Sequence, residues 1–277
     1  MPKPQAFVLI AALALTPACA RPLAQGGGGA TIQAAGAIDT ISYADYGDLL
    51  QTHVTPEGLV DYAALQAQPE GLNAFVAQLG AVSPAAYAGW SEAEQIAFLI
   101  NAYNAITLQS IINQTPLKQS IRDIPGVWNF KQHQVMGQGL TLDAIEHDIL
   151  RKDFAEPRIH AALVCAAISC PPLRQEPFTG DSLDAQLDDQ TRRWLTGPHG
   201  IAIDRDQNRV AISAIFKWFG QDWETQYAAP DRFTGNAQER AALNFISGYL
   251  SPEDSAYLAE GGYRLGYLDY SWALNQQ

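Results

Sequence analysis

The segment Arg158-Ile-His-Ala-Ala-Leu-Val-Cys-Ala-Ala-Ile-Ser-Cys-Pro-Pro-Leu-Arg174 gathers a histidine, two cysteines, a serine and two arginines. No other segment of this 277-residue chain holds so many groups able to do chemistry. A cysteine acts as a nucleophile when a base or a cation holds it as the thiolate and a third group orients the base. Cys165 and Cys170 are the candidate nucleophiles. His160 and His147 are the candidate bases, and Asn101, Asn104 and Glu146 are candidate orienting groups. That set points to a cysteine-dependent hydrolase or acyl transferase acting on a peptide or amide bond. Arg151, Arg158, Ser169 and the two asparagines are the candidate binding groups.

The same residues have a second reading. An even pair of cysteines in an oxidising compartment closes a disulfide. Cys165–Cys170 would then be a staple, and the Asn, Glu and His groups a buried polar network in a non-catalytic binding or scaffold domain. Spacing limits what the segment can do alone. His160 and Cys165 are five residues apart, on opposite faces of a strand or about 140° apart on a helix, so they do not touch within one regular element. Pro171 has no N–H and pushes Cys170 toward an extended conformation at a rigid turn. The segment therefore reads as one wall of a site. The segments of Asn101–Asn104 and Glu146–His147 would supply the others, meeting around His160.

Other chemistries lack their motifs. There is no P-loop, dinucleotide fingerprint, HExxH, GxSxG elbow or CxxC pair. His160, Cys165 and Cys170 have no standard zinc spacing and no evident fourth ligand, so neither a metal nor a cofactor is expected. A net charge of -12 and a pI near 4.7 argue against nucleic acid and against an anionic membrane surface, which both call for a basic patch. The expected partner is a small-molecule or peptide ligand.

The first residues read as an export signal. Lys3 is a short basic region, and Ala6–Leu15 is an apolar run too short for the roughly 20 residues of a membrane span. Ala18-Cys19-Ala20 fits a cleavage site, whereas Leu15–Cys19 loosely resembles a lipobox that would place a lipid on Cys19. Residues 1–20 are thus read as a signal peptide, 21–40 as a Gly/Ala-rich linker and 41–277 as the folded domain. The protein is expected in the periplasm or as an outer-membrane-anchored lipoprotein, with a lipid on Cys19 as its one membrane contact.

The pattern from residue 41 onward predicts one α+β domain, mainly helical, with small antiparallel hairpins. Ser91 and Glu94 form a capping box that launches an all-round apolar helix over 95–112, which should be central. Helices are also expected over 69–79, 142–150, 182–195 and 236–250, with hairpins at 131–140 and 201–213. Ile215–Trp223 is an aromatic-rich helical region, read as core or as a cleft wall. Tyr263–Trp272 reads as a closing strand. On the 142–150 helix, Glu146 falls on the apolar stripe of Ile149 and Leu150, where a carboxylate needs a partner. His147 and Arg151 share a face.

Several blocks together resemble a known family. Phe98-Leu-Ile-Asn-Ala-Tyr-Asn-Ala-Ile-Thr107, Leu140–Arg151, Pro157–Cys165, Ser169-Cys-Pro-Pro-Leu173 and the tail Tyr267–Asn275 are similar, in this order, to the signature blocks of the DUF547 family. The resemblance runs from about residue 50 to the end. It implies one compact domain, often exported in bacteria. It singles out the asparagines, Glu146-His147, Arg151, Arg158, His160, Cys165 and Cys170-Pro171. It implies no particular reaction, since the family name denotes a domain of unknown function.

Overall fold

A computed structural model describes residues 36–277. The export-signal reading, Cys19 and most of the linker lie outside the described residues. Helices α1 (Ala44–His53), α2 (Tyr62–Ala67), α3 (Glu70–Ala81) and α4 (Pro84–Gly89) lead to α5 (Glu92–Ile112). The Ser91 hydroxyl accepts from the Glu94 N–H at 3.2 Å and starts α5, though the Glu94 side chain makes no return bond, so only half of the expected capping box forms. Every residue of α5 from Ile96 to Leu108 is buried. A helix with no polar face can only be an axis; α2 and α3 pack against it, and α1 packs on α3 and α2.

The chain then forms a hairpin, β1 (His133–Val135) with β2 (Gln138–Leu140). It turns at Met136 and Gly137, both at positive φ (44° and 71°), the twist that suits a two-residue hairpin loop. The turn lies within the hairpin expected over 131–140. Next comes a π-helical segment, Ala144–Leu150, which runs into the single turn α6 (Arg151–Asp153) where an ordinary α-helix is expected. The short α7 (Ile159–Ala162) carries His160, and α8 (Leu183–Thr196) follows the double proline.

The remaining elements build the other end of the domain. They are β3 (Ile201–Asp204), β4 (Arg209–Ile212), α9 (Ala214–Phe219), α10 (Gln221–Tyr227), α11 (Ala237–Ser247), α12 (Pro252–Glu260) and β5 (Arg264–Tyr267). β3 and β4 are antiparallel, pairing Ile201 with Ile212 through Asp204 with Arg209. β5 lies parallel to β4, pairing Arg209 with Arg264. Both expected hairpins are antiparallel, and β5 adds a parallel strand that makes the small sheet mixed. The four helices between β4 and β5 supply the long crossover that a parallel pair requires. The mainly helical α+β class stands.

Two hydrophobic clusters result. One surrounds α5 and includes Ala162, Leu163 and Val164. The other is built on Trp194, Phe216, Trp223 and Phe245 and includes Ala161. The short α7 thus sits on the seam between them. The tail laces the first cluster shut. Ile168 N–H donates to Ala273 at 2.8 Å, Asn275 N–H to Ala166 at 3.1 Å, and Val60 N–H to Asn275 at 2.8 Å.

Gly58 is the tightest point of this lacing. It has φ +86°, and a Cβ there would lie 2.6 Å from Leu173 N and 2.7 Å from Pro172 Cα. Gly58→Ala should lower the unfolding free energy by about 1–3 kcal/mol from backbone strain alone, before the clash is added. Urea denaturation of variant and wild type measures it.

Candidate functional site

A cavity of about 210 Å³ opens beside α7. Its lining comes from every segment the sequence nominates. Tyr103 comes from α5, and Glu146 and His147 from the π-helical segment. His160 comes from α7, and Cys165 and Cys170 from the loop after it. The rest is largely aromatic: Trp128, Trp218, Phe219, Tyr270 and Trp272. The three expected segments therefore do meet around His160.

The asparagines take part from behind the wall. Asn104 Nδ2 donates to Ala162 O at 3.0 Å and its Oδ1 accepts from Val164 N–H at 2.9 Å. Asn101 makes the same two-way pairing with Phe178, at 2.7 and 2.9 Å. Each amide is buried and each is satisfied by backbone. Asn104 fixes the chain between His160 and Cys165 onto α5. Tyr103, one residue away, is the α5 side chain that reaches the cavity.

The π-helical segment sets the opposite wall. In an ordinary helix Glu146 and His147 would diverge by about 100°. The wider π turn, a geometry that recurs at functional sites, lets both line the cavity. The Glu146 side chain is only 12 % exposed, and the His147 ring stands beside it with Nδ1 at 3.9 Å. No Lys or Arg lies within 4 Å of it among the described residues. Burial, together with the Glu146 charge, pushes the Tyr103 and Tyr270 hydroxyls well above the usual tyrosine range, so both stay protonated donors.

A charged chain links the two histidines. Arg151 grips Asp222 with two bonds, Nε to Oδ2 at 2.6 Å and Nη2 to Oδ1 at 2.9 Å. Its Nη1 also reaches His147 Nδ1 at 3.2 Å, as the shared helix face predicts. Asp222 Oδ2 meets His160 Nε2 at 2.7 Å. Burial acts to raise the Asp222 carboxyl, but the bonds and charges of His160 and Arg151 outweigh it and hold the group well below the usual carboxylate range. An ionised Asp222 accepts only, so His160 carries a proton on Nε2 and donates it. Nδ1 is then the free nitrogen of a ring that lines the cavity. Phe219, with ring centroids 4.6 Å apart and planes at 18°, and Trp223 at 5.1 Å hold that ring in place.

The structure corrects the expectation of a free thiol nucleophile. Cys165 and Cys170 are joined in a disulfide. The chain reverses at Ala166, which has φ 59°, and Cys170 N–H bonds back to Ala167 O at 3.0 Å. That turn brings the two cysteines within bonding range. The Tyr270 hydroxyl sits 3.3 and 3.1 Å from the two sulfurs. None of the five nominated binding groups, Asn101, Asn104, Arg151, Arg158 and Ser169, lines the cavity itself. The Ser169 hydroxyl accepts from Ser271 N–H at 2.9 Å and secures the tail. Arg158 is held by Glu156, Asp184 and Asp188 and ties α7 to α8. Among the described residues no cluster of three His, Cys, Asp or Glu side chains is placed to hold a metal ion.

Sequence reasoning missed Asp222. It lies 62 residues from His160, at the start of α10, with no spacing to mark it. Its one signal was an acid set among aromatics in the 215–223 region. That region splits by role: Phe216 and Trp223 are core, and Trp218 and Phe219 line the cavity.

With this geometry in view, the class of protein is that of a mainly helical domain with an aromatic, carboxylate-bearing cavity. Residues 87–195 match the family model DUF547, described as a protein of unknown function, and over this segment the chain is similar to that family. No curated protein and no solved structure matches the chain.

Asp222→Asn should cost about 2–3 kcal/mol at neutral pH, because Arg151 and His160 lose an ionised partner. The depressed carboxyl contributes fully above its unfolded value near 4, and its contribution is lost as pH falls through its lower folded value. The deficit of the variant should therefore narrow below about pH 4, as denaturant titrations across the acid range would show. Reducing the disulfide, or Cys165→Ser, should cost about 2 kcal/mol from the freed short loop and leave the far-UV circular dichroism in place.

Proposed function

We propose that this chain is an exported envelope protein whose cavity binds a small molecule or a peptide segment and acts on it by acid–base catalysis from His160. The observation that carries the reading is the His160–Asp222 bond. It holds the proton on Nε2 and leaves Nδ1 as a base on a cavity-lining ring. Hydrolysis of an amide is the reaction this suits. Water attacks the carbonyl carbon and gives its proton to His160 Nδ1. The C–N bond then breaks, and the leaving amine takes the proton back. Tyr103 and Tyr270 are protonated hydroxyls on the same cavity and can donate to the developing oxyanion. The export reading rests on Lys3 and the Ala6–Leu15 run, and the disulfide suits an oxidising compartment.

A second reading is a binding domain without catalysis. The disulfide favours it, because it removes the thiol nucleophile. A thiol route through Cys165 or Cys170 would need prior reduction by a dithiol. Turnover of a panel of peptide and amide substrates separates the three. His160→Gln should lower the rate about 10²–10⁴-fold while the fold is kept. A rate unchanged in His160→Gln sinks the acid–base reading. Activity that appears only with reductant and vanishes in Cys165→Ser or Cys170→Ser assigns the thiol route. Saturable binding with no turnover assigns the binding domain.

A further inference from the structure

The cavity combines two features that are individually ordinary. Its carboxylates are Asp143 and Glu146, and it has no Lys or Arg in its lining. Glu146 is the unusual one, being nearly buried with no Lys or Arg in salt-bridge range among the described residues. A buried carboxylate with no strong cationic partner carries a desolvation cost that a bound cation would relieve. The second feature is the aromatic wall. Trp218 stacks on Trp272 at 5.9 Å and 23°, and Tyr270 lies 4.8 Å from Trp218 and 4.9 Å from Trp272. Trp128 meets Trp272 edge-on at 5.9 Å. Trp218 remains 45 % exposed, an uncommon state for a tryptophan in a folded domain.

Aromatic faces are negative at the centre and attract cations, most strongly when the cation is weakly hydrated. Trp272 already does so on its own account: the Arg122 guanidinium lies 5.3 Å from its centroid. A neutral apolar ligand would satisfy the rings and leave Glu146 with the Tyr103 hydroxyl and the more distant Arg151 charge but no direct counter-ion. A carboxylate or phosphate ligand would meet two acids and no cation in the lining. A strongly hydrated metal ion would have to shed water against indole faces. An organic ammonium group satisfies both features, and the cavity volume of about 210 Å³ is on the scale of such a group. The net charge of -12 adds long-range attraction for it.

We infer that the ligand of this cavity presents an organic ammonium group, a quaternary or primary amine on a short aliphatic stem, seated among Trp218, Tyr270 and Trp272 with Glu146 as its counter-ion. The inference rests on the reading of this cavity as the ligand site, and it specifies the chemical class that enters. In a peptide substrate the ammonium would be an α-amine or a basic side chain.

The test uses the tryptophans of the wall as reporters. The folded protein is titrated with choline, with n-butylammonium and with 3,3-dimethylbutan-1-ol, the uncharged carbon isostere of choline, while tryptophan fluorescence is followed. Choline or n-butylammonium should give a saturable change that weakens with salt. The isostere should bind at least about tenfold more weakly than choline. Glu146→Gln, which keeps the side-chain shape, should reduce ammonium affinity by at least about tenfold. Trp218→Ala, at the exposed rim, should also weaken it and serves if Glu146→Gln does not fold. The inference is overturned if the isostere binds as well as choline, if the folded Glu146→Gln protein keeps its ammonium affinity, or if no ammonium probe binds. None of these results touches the His160 reading, which is judged on substrate turnover alone.

Discussion

One carboxylate, Asp222, fixes the relation of three elements that sequence keeps far apart. It is gripped by Arg151 from α6 and by His160 from α7, and it stands itself on α10. Each of its contacts has a separate consequence. The Arg151 fork orients the carboxylate and, through the same guanidinium, reaches His147. The His160 bond decides which ring nitrogen holds the proton. Without the ionised oxygen, the Arg151 guanidinium and the His160 ring would face each other in a partly buried space with no anion between them. The electrostatic balance of the site and the packing of α10 against α6 and α7 are therefore one constraint.

The asparagines solve a different problem. α5 is buried along most of its length, and its own backbone groups are satisfied within the helix. A neighbouring loop has no such closure. Asn104 offers both halves of its amide to the chain just after α7, and Asn101 does the same for Phe178. Two side chains on one face of a helix thus act as short pieces of sheet edge. They make irregular chain tolerable inside the protein, and that irregular chain carries the cysteines.

Sequence reading went furthest where a local rule applied. The capping of α5, its burial, the hairpin at Gly137 and the pairing of His147 with Arg151 all follow from spacing within one element. The convergence of Glu146, His147 and His160 was legible as a demand: polar groups on apolar stripes need company. Three things were not legible. The π turn at Ala144–Leu150 has the composition of an ordinary helix. The parallel placement of β5 depends on a crossover of four helices, which no strand pattern encodes. Asp222 was invisible because its partner is 62 residues away and its own neighbours look like core. The free-thiol reading lost to the disulfide because chain reversal at Ala166, a residue with no turn signature, brings the cysteines together.

The position of α7 on the seam between two hydrophobic clusters bears on how much of the site the family-like stretch carries. The segment that matches the family model, 87–195, supplies Tyr103, Glu146, His147, His160 and both cysteines. It contains neither Asp222 nor the ring-bearing residues Trp218, Phe219, Tyr270 and Trp272. Most of the aromatic wall, and the partner of His160, are thus written outside the recognised stretch. A homologue sharing that stretch but differing after it would keep the histidine and change both its counter-ion and its walls. The room to vary the walls lies there, in α9, α10 and the tail.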